Sequence, residues 1–139
     1  MKKIILDTNV LISFVTSRNP EQQEKADRIF TEAVELKQLL ICHQEVLSEF
    51  VYVLQSVYKV GKESIHDILV DLVHMPGLEV VSETDFKLVL KLWPEYIADY
   101  GDSVLAALCK GTKNGSVATF DRKFVKELVA LGIPVNGVL

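Results

Sequence analysis

Cysteine, histidine and long apolar runs are all scarce in this chain, and each shortage removes a class of function. Of 139 residues only Cys42 and Cys109 carry a thiol, far apart, with neither CxxC spacing nor a matching His pair. No disulfide framework or zinc module is written here, and both thiols are expected to be reduced core residues of a cytoplasmic protein. His43, His66 and His74 are scattered, with no spacing that sets two on one helical face toward a metal. The opening Met-Lys-Lys-Ile-Ile-Leu imitates a signal peptide, but Asp7 and Asn9 interrupt the run and no small-residue cleavage site follows. No segment approaches the roughly 18 uninterrupted apolar residues that a membrane span needs, so no membrane partner is expected.

A basic excess is missing too. Fifteen Lys and Arg face 19 Asp and Glu, a net charge of -4 that weighs mildly against a nucleic-acid partner. Distribution matters more than the sum. From Leu105 to Leu139, Lys110, Lys113, Arg122, Lys123 and Lys126 oppose only Asp121 and Glu127, a local surplus of +3. What the chain has in plenty is ordinary globular material: 49% hydrophobic and 24% charged residues, with no linker, repeat or charge run. One domain over 1–139 is the expectation.

Apolar periodicity alternates along the chain. Lys2 to Leu6 reads as a buried strand, followed by a polar Asp-Thr-Asn turn and the apolar Val10 to Val15. Asn19-Pro20-Glu21-Gln22 carries a cap and a Pro at the first helical position, before Ala26, Ile29, Phe30 and Ala33 at helical spacing. Leu39 to Cys42 is a second strand, and the helix after it places Glu45 and Glu49 one turn apart. Ile65 to Val73 is a further helix ended by Pro76-Gly77, Leu78 to Val81 a third strand, and Ser82 the cap of a helix stopped by Pro94. Asp99-Tyr-Gly-Asp102 introduces a helix ended by Gly111, Ser116 to Phe120 is a fourth strand, Phe124 to Leu131 the last helix, and Ile133 to Val138 a fifth strand. Alternating strands and helices predict a parallel sheet covered on both faces.

Five acids stand where structure alone rarely asks for them: Asp7 and Asp121 just after strands, Glu49 within an apolar helix, Asp99 and Asp102 at a helix start. Ligands of open α/β sheets bind beyond the carboxyl ends of strands, where strand order reverses. If the first and fourth strands are neighbours there, Asp7 and Asp121 lie side by side. Clustered carboxylates persist only with protons or cations among them, and oxygen-only donors suit Mg2+ or Mn2+. Such ions can prepare a water for in-line attack on a phosphodiester, a reaction that needs no Ser, His or Cys nucleophile.

The same residues carry a resemblance. Ile-Ile-Leu-Asp7-Thr8-Asn9-Val-Leu-Ile, Glu45-Val-Leu-Ser48-Glu49-Phe-Val-Tyr-Val-Leu, Asp99-Tyr-Gly-Asp102-Ser-Val-Leu-Ala-Ala and Ala118-Thr119-Phe120-Asp121-Arg-Lys-Phe124 occur in that order from residue 4 to residue 124. Together they resemble the PIN-domain ribonucleases, in particular the VapC-like toxins. The resemblance implies a three-layer α/β/α sandwich with a five-stranded parallel sheet, and cleavage of single-stranded RNA that depends on Mg2+ or Mn2+. Carried over by position, it implies Asp7, Glu49, Asp102 and Asp121 as the catalytic, metal-binding quartet, with Asp99 as a further ligand and Asn9 and Thr119 as supporting residues. Glu49-Phe50 matches the family's pattern better than Glu45, which stays open as the alternative. It also implies a small antitoxin as partner, and a homodimer, for which Val51, Val53, Val57, Tyr52 and Tyr58 offer an apolar surface.

Taken singly, every acid has an ordinary explanation. Asp7, Asp99, Asp102 and Asp121 are all good helix caps, and Glu49 can be a solvated position beside an apolar stripe. Their joint order and contexts shift the balance. Arg122, Lys123 and Lys126 are the candidates for RNA contact, against the reading of a solvated helix face. Trp93, Tyr96 and Tyr100 read as packing rather than base-stacking residues. Two rivals remain: a binding module that keeps the acids without activity, and a haloacid-dehalogenase-like phosphatase, whose second Asp is Asn9 here.

Overall fold

The computed structural model describes residues 1–137. Four strands, β1 (Lys3–Leu6), β2 (Leu39–His43), β3 (Leu78–Val81) and β4 (Gly115–Ala118), form one parallel sheet in the order β3-β2-β1-β4. Seven helices connect them: α1 (Thr8–Val15), α2 (Pro20–Val34), α3 (Gln44–Ser56), α4 (Lys62–Val73), α5 (Phe86–Leu92), α6 (Tyr100–Lys110) and α7 (Arg122–Ala130). Ile4, Ile5 and Leu6 are all fully buried. Successive strand residues point to opposite faces, so helices must cover both sides of β1.

Local chemistry explains most boundaries. The Asn19 side chain accepts from Gln22 N at 3.0 Å, and Pro20 takes the first helical position, where its missing N–H costs nothing. Phe14 stacks on Phe30 with ring centroids 3.9 Å apart, locking α1 to α2. Gly77, at φ +80°, lies against the α2 backbone so closely that an added Cβ would sit 2.1 Å from Ala33 O. Only glycine fits there, and its carbonyl accepts from Leu40 N, which starts the β2–β3 pairing. Cys42 and Cys109 are buried free thiols, pushed up to about 12 and about 11 by burial.

The structure departs from the sequence reading in three places. The sheet has four strands among the described residues, not five. Of the expected strand at 133–138, Val135 makes only an isolated parallel bridge to Val117, through Val117 N to Pro134 O and Asn136 N to Val117 O, and Val138 lies outside the described residues. Pro134 has no N–H to extend a ladder. Ser82 does not cap α5; Asp85 does, accepting from Leu88 N at 3.1 Å. Finally, β4 ends at Ala118, so Thr119 and Phe120 separate it from Asp121.

The strand order decides where a site can form. The chain adds β2 and then β3 to one side of β1, and returns to place β4 on the other side. The reversal opens a crevice at the carboxyl ends of β1 and β4.

Candidate active site

Asp7 leaves β1 at this crevice. Its N–H donates to Ala118 O at 3.0 Å, continuing the β1–β4 ladder by one step. Its side chain caps α1: Oδ1 accepts from Thr8 N at 2.7 Å. Oδ2 accepts from Thr119 Oγ1 at 2.7 Å and from Asn9 Nδ2 at 3.2 Å. Three of a carboxylate's roughly four acceptor positions are thereby used, which fixes the group and leaves about one position for the crevice.

Asn9 and Thr119 link this acid to the opposite loop. Asn9 Nδ2 also reaches Thr119 Oγ1 at 3.1 Å, and Asn9 Oδ1 accepts from Phe120 N at 3.0 Å. Thr119 Oγ1 accepts from Asp121 N at 3.1 Å, and Asp121 caps α7 through Lys123 N and Phe124 N. Both residues expected to be supporting members therefore tie β1 to the β4–α7 turn.

Two more segments bring acids to the crevice. Glu49, from α3, accepts from Thr8 Oγ1 at 3.1 Å through Oε2. Asp99 caps α6 by accepting from Asp102 N at 2.9 Å, which sets Asp102 one turn into the helix. Asp7, Glu49, Asp99, Asp102 and Asp121 all line one cavity of about 380 Å³, together with Thr8, Asn9, Arg18, Lys123 and Glu127. Glu45 is not in that lining; its Oε1 lies beside Gly101. Of the basic candidates, Lys123 faces the acids, while Arg122 and Lys126 line a neighbouring cavity. Trp93 and Tyr100 pack edge to face at 5.4 Å, away from the lining.

The electrostatics follow from who donates to whom. Burial raises Asp7 from 3.8 to about 6, with the negative charges of Glu49 and Asp121 adding to it; the bonds from Thr119 and Thr8 pull the other way. Asp102 is less buried yet rises further, to about 8. Desolvation leads there as well, but no donor opposes it, and Asp7, Asp99, Asp121 and Glu127 all repel a charge on it. A crevice that raises the proton affinity of two aspartates has an unmet demand for positive charge.

Among the described residues no three Asp, Glu, His or Cys side chains converge closely enough to enclose a bare ion. The lining fits a hard divalent cation that keeps much of its water and takes one or two carboxylates directly, as Mg2+ does. The donors are oxygens only, which matches that ion and disfavours zinc.

Nothing in the sequence marks Glu127 or Arg18 as part of the site. Glu127 accepts from Ala98 N at 3.0 Å, pinning the segment before Asp99 to α7. It sits six residues past Asp121 on an amphipathic helix, where a solvated surface acid looks the same. Arg18 donates to Asn9 O, Ser13 Oγ and Gln22 Oε1 at the mouth of the crevice, a position set by the α1–α2 turn that no local pattern announces.

The description PIN domain belongs to a family model that matches residues 4–127. A VapC ribonuclease of Aquifex aeolicus (strain VF5) is 25% identical over 122 residues, which cover 88% of this chain and 90% of that protein. No helix among the described residues is long and apolar enough to cross a membrane.

Proposed function

Because this chain belongs to the PIN domain family, we propose that it is a VapC-like endoribonuclease that cuts single-stranded RNA with Mg2+ or Mn2+ at the Asp7, Glu49, Asp102 and Asp121 crevice. The observation that carries the reading is the convergence of five acids from four separate segments on one cavity at the strand-order reversal, two of them with raised proton affinity.

Asp7, Glu49, Asp102 and Asp121 would hold the cation, with Asp99 near it. When bound, it supplies the positive charge that draws in a phosphodiester and makes a water more acidic. The protein's own contributions are positional. Thr119, Asn9 and Thr8 hold Asp7 in one orientation, so no side-chain entropy is lost when a ligand arrives. The Asp99 cap fixes the first turn of α6 and with it the Asp102 carboxylate. Lys123 and Arg18 border the same cavity and provide charge for phosphate oxygens.

The VapC likeness also supports a small antitoxin as partner and a homodimer. Tyr52 on α3 and Val57 just past its end are 67% and 65% exposed and remain available for a second subunit, whereas Val51, Val53 and Tyr58 pack against the core.

The deciding experiment is cleavage of a labelled single-stranded RNA pool with magnesium, manganese or EDTA, beside Asp102→Asn at matched folding. Cutting that requires the metal and is lost in the variant supports the reading. A wild-type protein that binds manganese but cuts neither RNA nor single-stranded DNA refutes general nuclease activity.

A further inference from the structure

The acid-lined cavity does not stop at Asp121. It shares Asn9, Arg18 and Asp121 with a second cavity of about 400 Å³, which shares Asn19, Gln22 and Phe120 with a third of about 670 Å³. The shared residues set the three side by side, as a groove that runs from the acids, past the start of α2, to the first turns of α7.

Along this groove the charge changes sign. The far end is lined by Lys25, Arg122 and Lys126 against a single acid, Glu21, which is paired with Lys25 at 3.6 Å. Arg122 and Lys126 are exposed and make no ion pair among the described residues. At the junction stands Arg18. Its guanidinium is held by neutral acceptors only, at 3.2 Å from Asn9 O, 3.0 Å from Ser13 Oγ and 3.4 Å from Gln22 Oε1, so it is oriented without being neutralised. Such a pre-positioned fork suits a phosphate. Phe120, half-buried, lines both outer cavities and offers a ring at the bend.

We propose that this groove carries the single strand on one side of the cut: Arg18 holds the phosphate next to the acids, Phe120 stacks under a base, and Arg122 and Lys126 hold phosphates beyond. The proposal rests on the ribonuclease reading and extends it. The crevice itself repels a polyanion, so a strand needs cations close by, and this is the direction in which the lining supplies them. Stacking on Phe120 requires an unpaired base, which selects a single strand over a duplex.

The test is binding rather than cutting. Fluorescence anisotropy of labelled single-stranded RNA is measured at several salt concentrations with magnesium, in an Asp102→Asn background. Arg122→Gln with Lys126→Gln should lower the slope of log K against log salt by about 0.7 for each phosphate that is no longer neutralised. Phe120→Leu should weaken binding roughly five- to hundredfold and leave the slope unchanged. A dinucleotide, too short to reach the far end, should bind the Arg122/Lys126 variant and its parent alike. Arg18 also ties α1 to α2, so the test relies on Arg122 and Lys126, whose exposed side chains can be replaced without disturbing the core. An unchanged slope and affinity, with RNA still bound, overturns the groove and leaves the ribonuclease reading standing. No binding of any single strand by this parent, nor of a 2′-O-methyl single strand by the wild-type protein with magnesium, overturns both.

Discussion

The Thr119 hydroxyl donates to Asp7 Oδ2 at 2.7 Å and accepts from both Asn9 Nδ2 and Asp121 N at 3.1 Å, so one buried oxygen with its hydrogen and both lone pairs used joins the loop after β1 to the loop after β4. Thr119→Val keeps the shape and removes all three bonds. A buried donor or acceptor left unmatched costs about 1–3 kcal/mol, so a loss of that size in denaturant unfolding is expected, together with at least about tenfold slower cleavage. Thr119→Ser should restore most of both. Equal stability and activity of the Val variant would remove Thr119 from any positioning role.

Asp102→Asn separates stability from activity. The carboxylate sits among four other acids with no donor, so replacing it removes repulsion from the metal-free protein. The variant should melt higher than wild type at pH 8 in EDTA and cut RNA at least about a hundredfold more slowly. A lower melting temperature in EDTA would contradict the electrostatic account of the crevice.

The pH dependence has a definite sign. Asp7 and Asp102 titrate near 6 and 8 when folded, against 3.8 ordinarily. Between about pH 4 and 8 the folded chain therefore binds more protons than the unfolded one, and these groups make stability fall as pH rises. For Asp7 alone the change amounts to about 3 kcal/mol by pH 8. Urea midpoints at pH 5 and pH 8 in EDTA should differ in that direction, and a flat or rising profile would show that the crevice is better solvated than its geometry indicates.

Adding Mg2+ or Mn2+ at pH 8 should reverse that loss. A ligand at a hundred times its dissociation constant stabilises the folded state by about 2.7 kcal/mol, visible as a rise in melting temperature. The rise should shrink in Asp7→Asn and Asp102→Asn. Metal-dependent cleavage with no such thermal shift would place the ion elsewhere than among these acids.

Glu49→Gln and Glu45→Gln discriminate between two acids on one helix. Glu49 lines the crevice and accepts from Thr8, whereas Glu45 lies beside Gly101. Cleavage should fall at least about tenfold in the first and stay near wild type in the second. The reverse result would reassign the α3 ligand.

Much of this protein is determined locally and is therefore legible in its residues. Asn19-Pro20, the Asp99-Asp102 start and Leu78 to Val81 each carry their own structural instruction, because caps, proline geometry and apolar periodicity act within a few residues. The acids stand out for the same reason, each in a distinctive local context. Ser82 misleads because Asp85, three residues on, is an equally good cap, and only the packed position of α5 chooses between them. The segment after Gly132 has strand-like residues, but pairing there depends on what β4 offers across the gap, and Pro134 limits it to one bridge. Only the tertiary structure decided that β4 returns to lie beside β1, for strand order is a matter of pairing between residues more than a hundred positions apart. That single choice sets Thr119 against Asp7 and brings Glu127 toward Asp102, whereas the α1–α2 turn holds Arg18 at the crevice. Thr119 stands out in sequence only within its motif, and Glu127 looks like any solvated helix acid until the sheet puts Asp102 next to it.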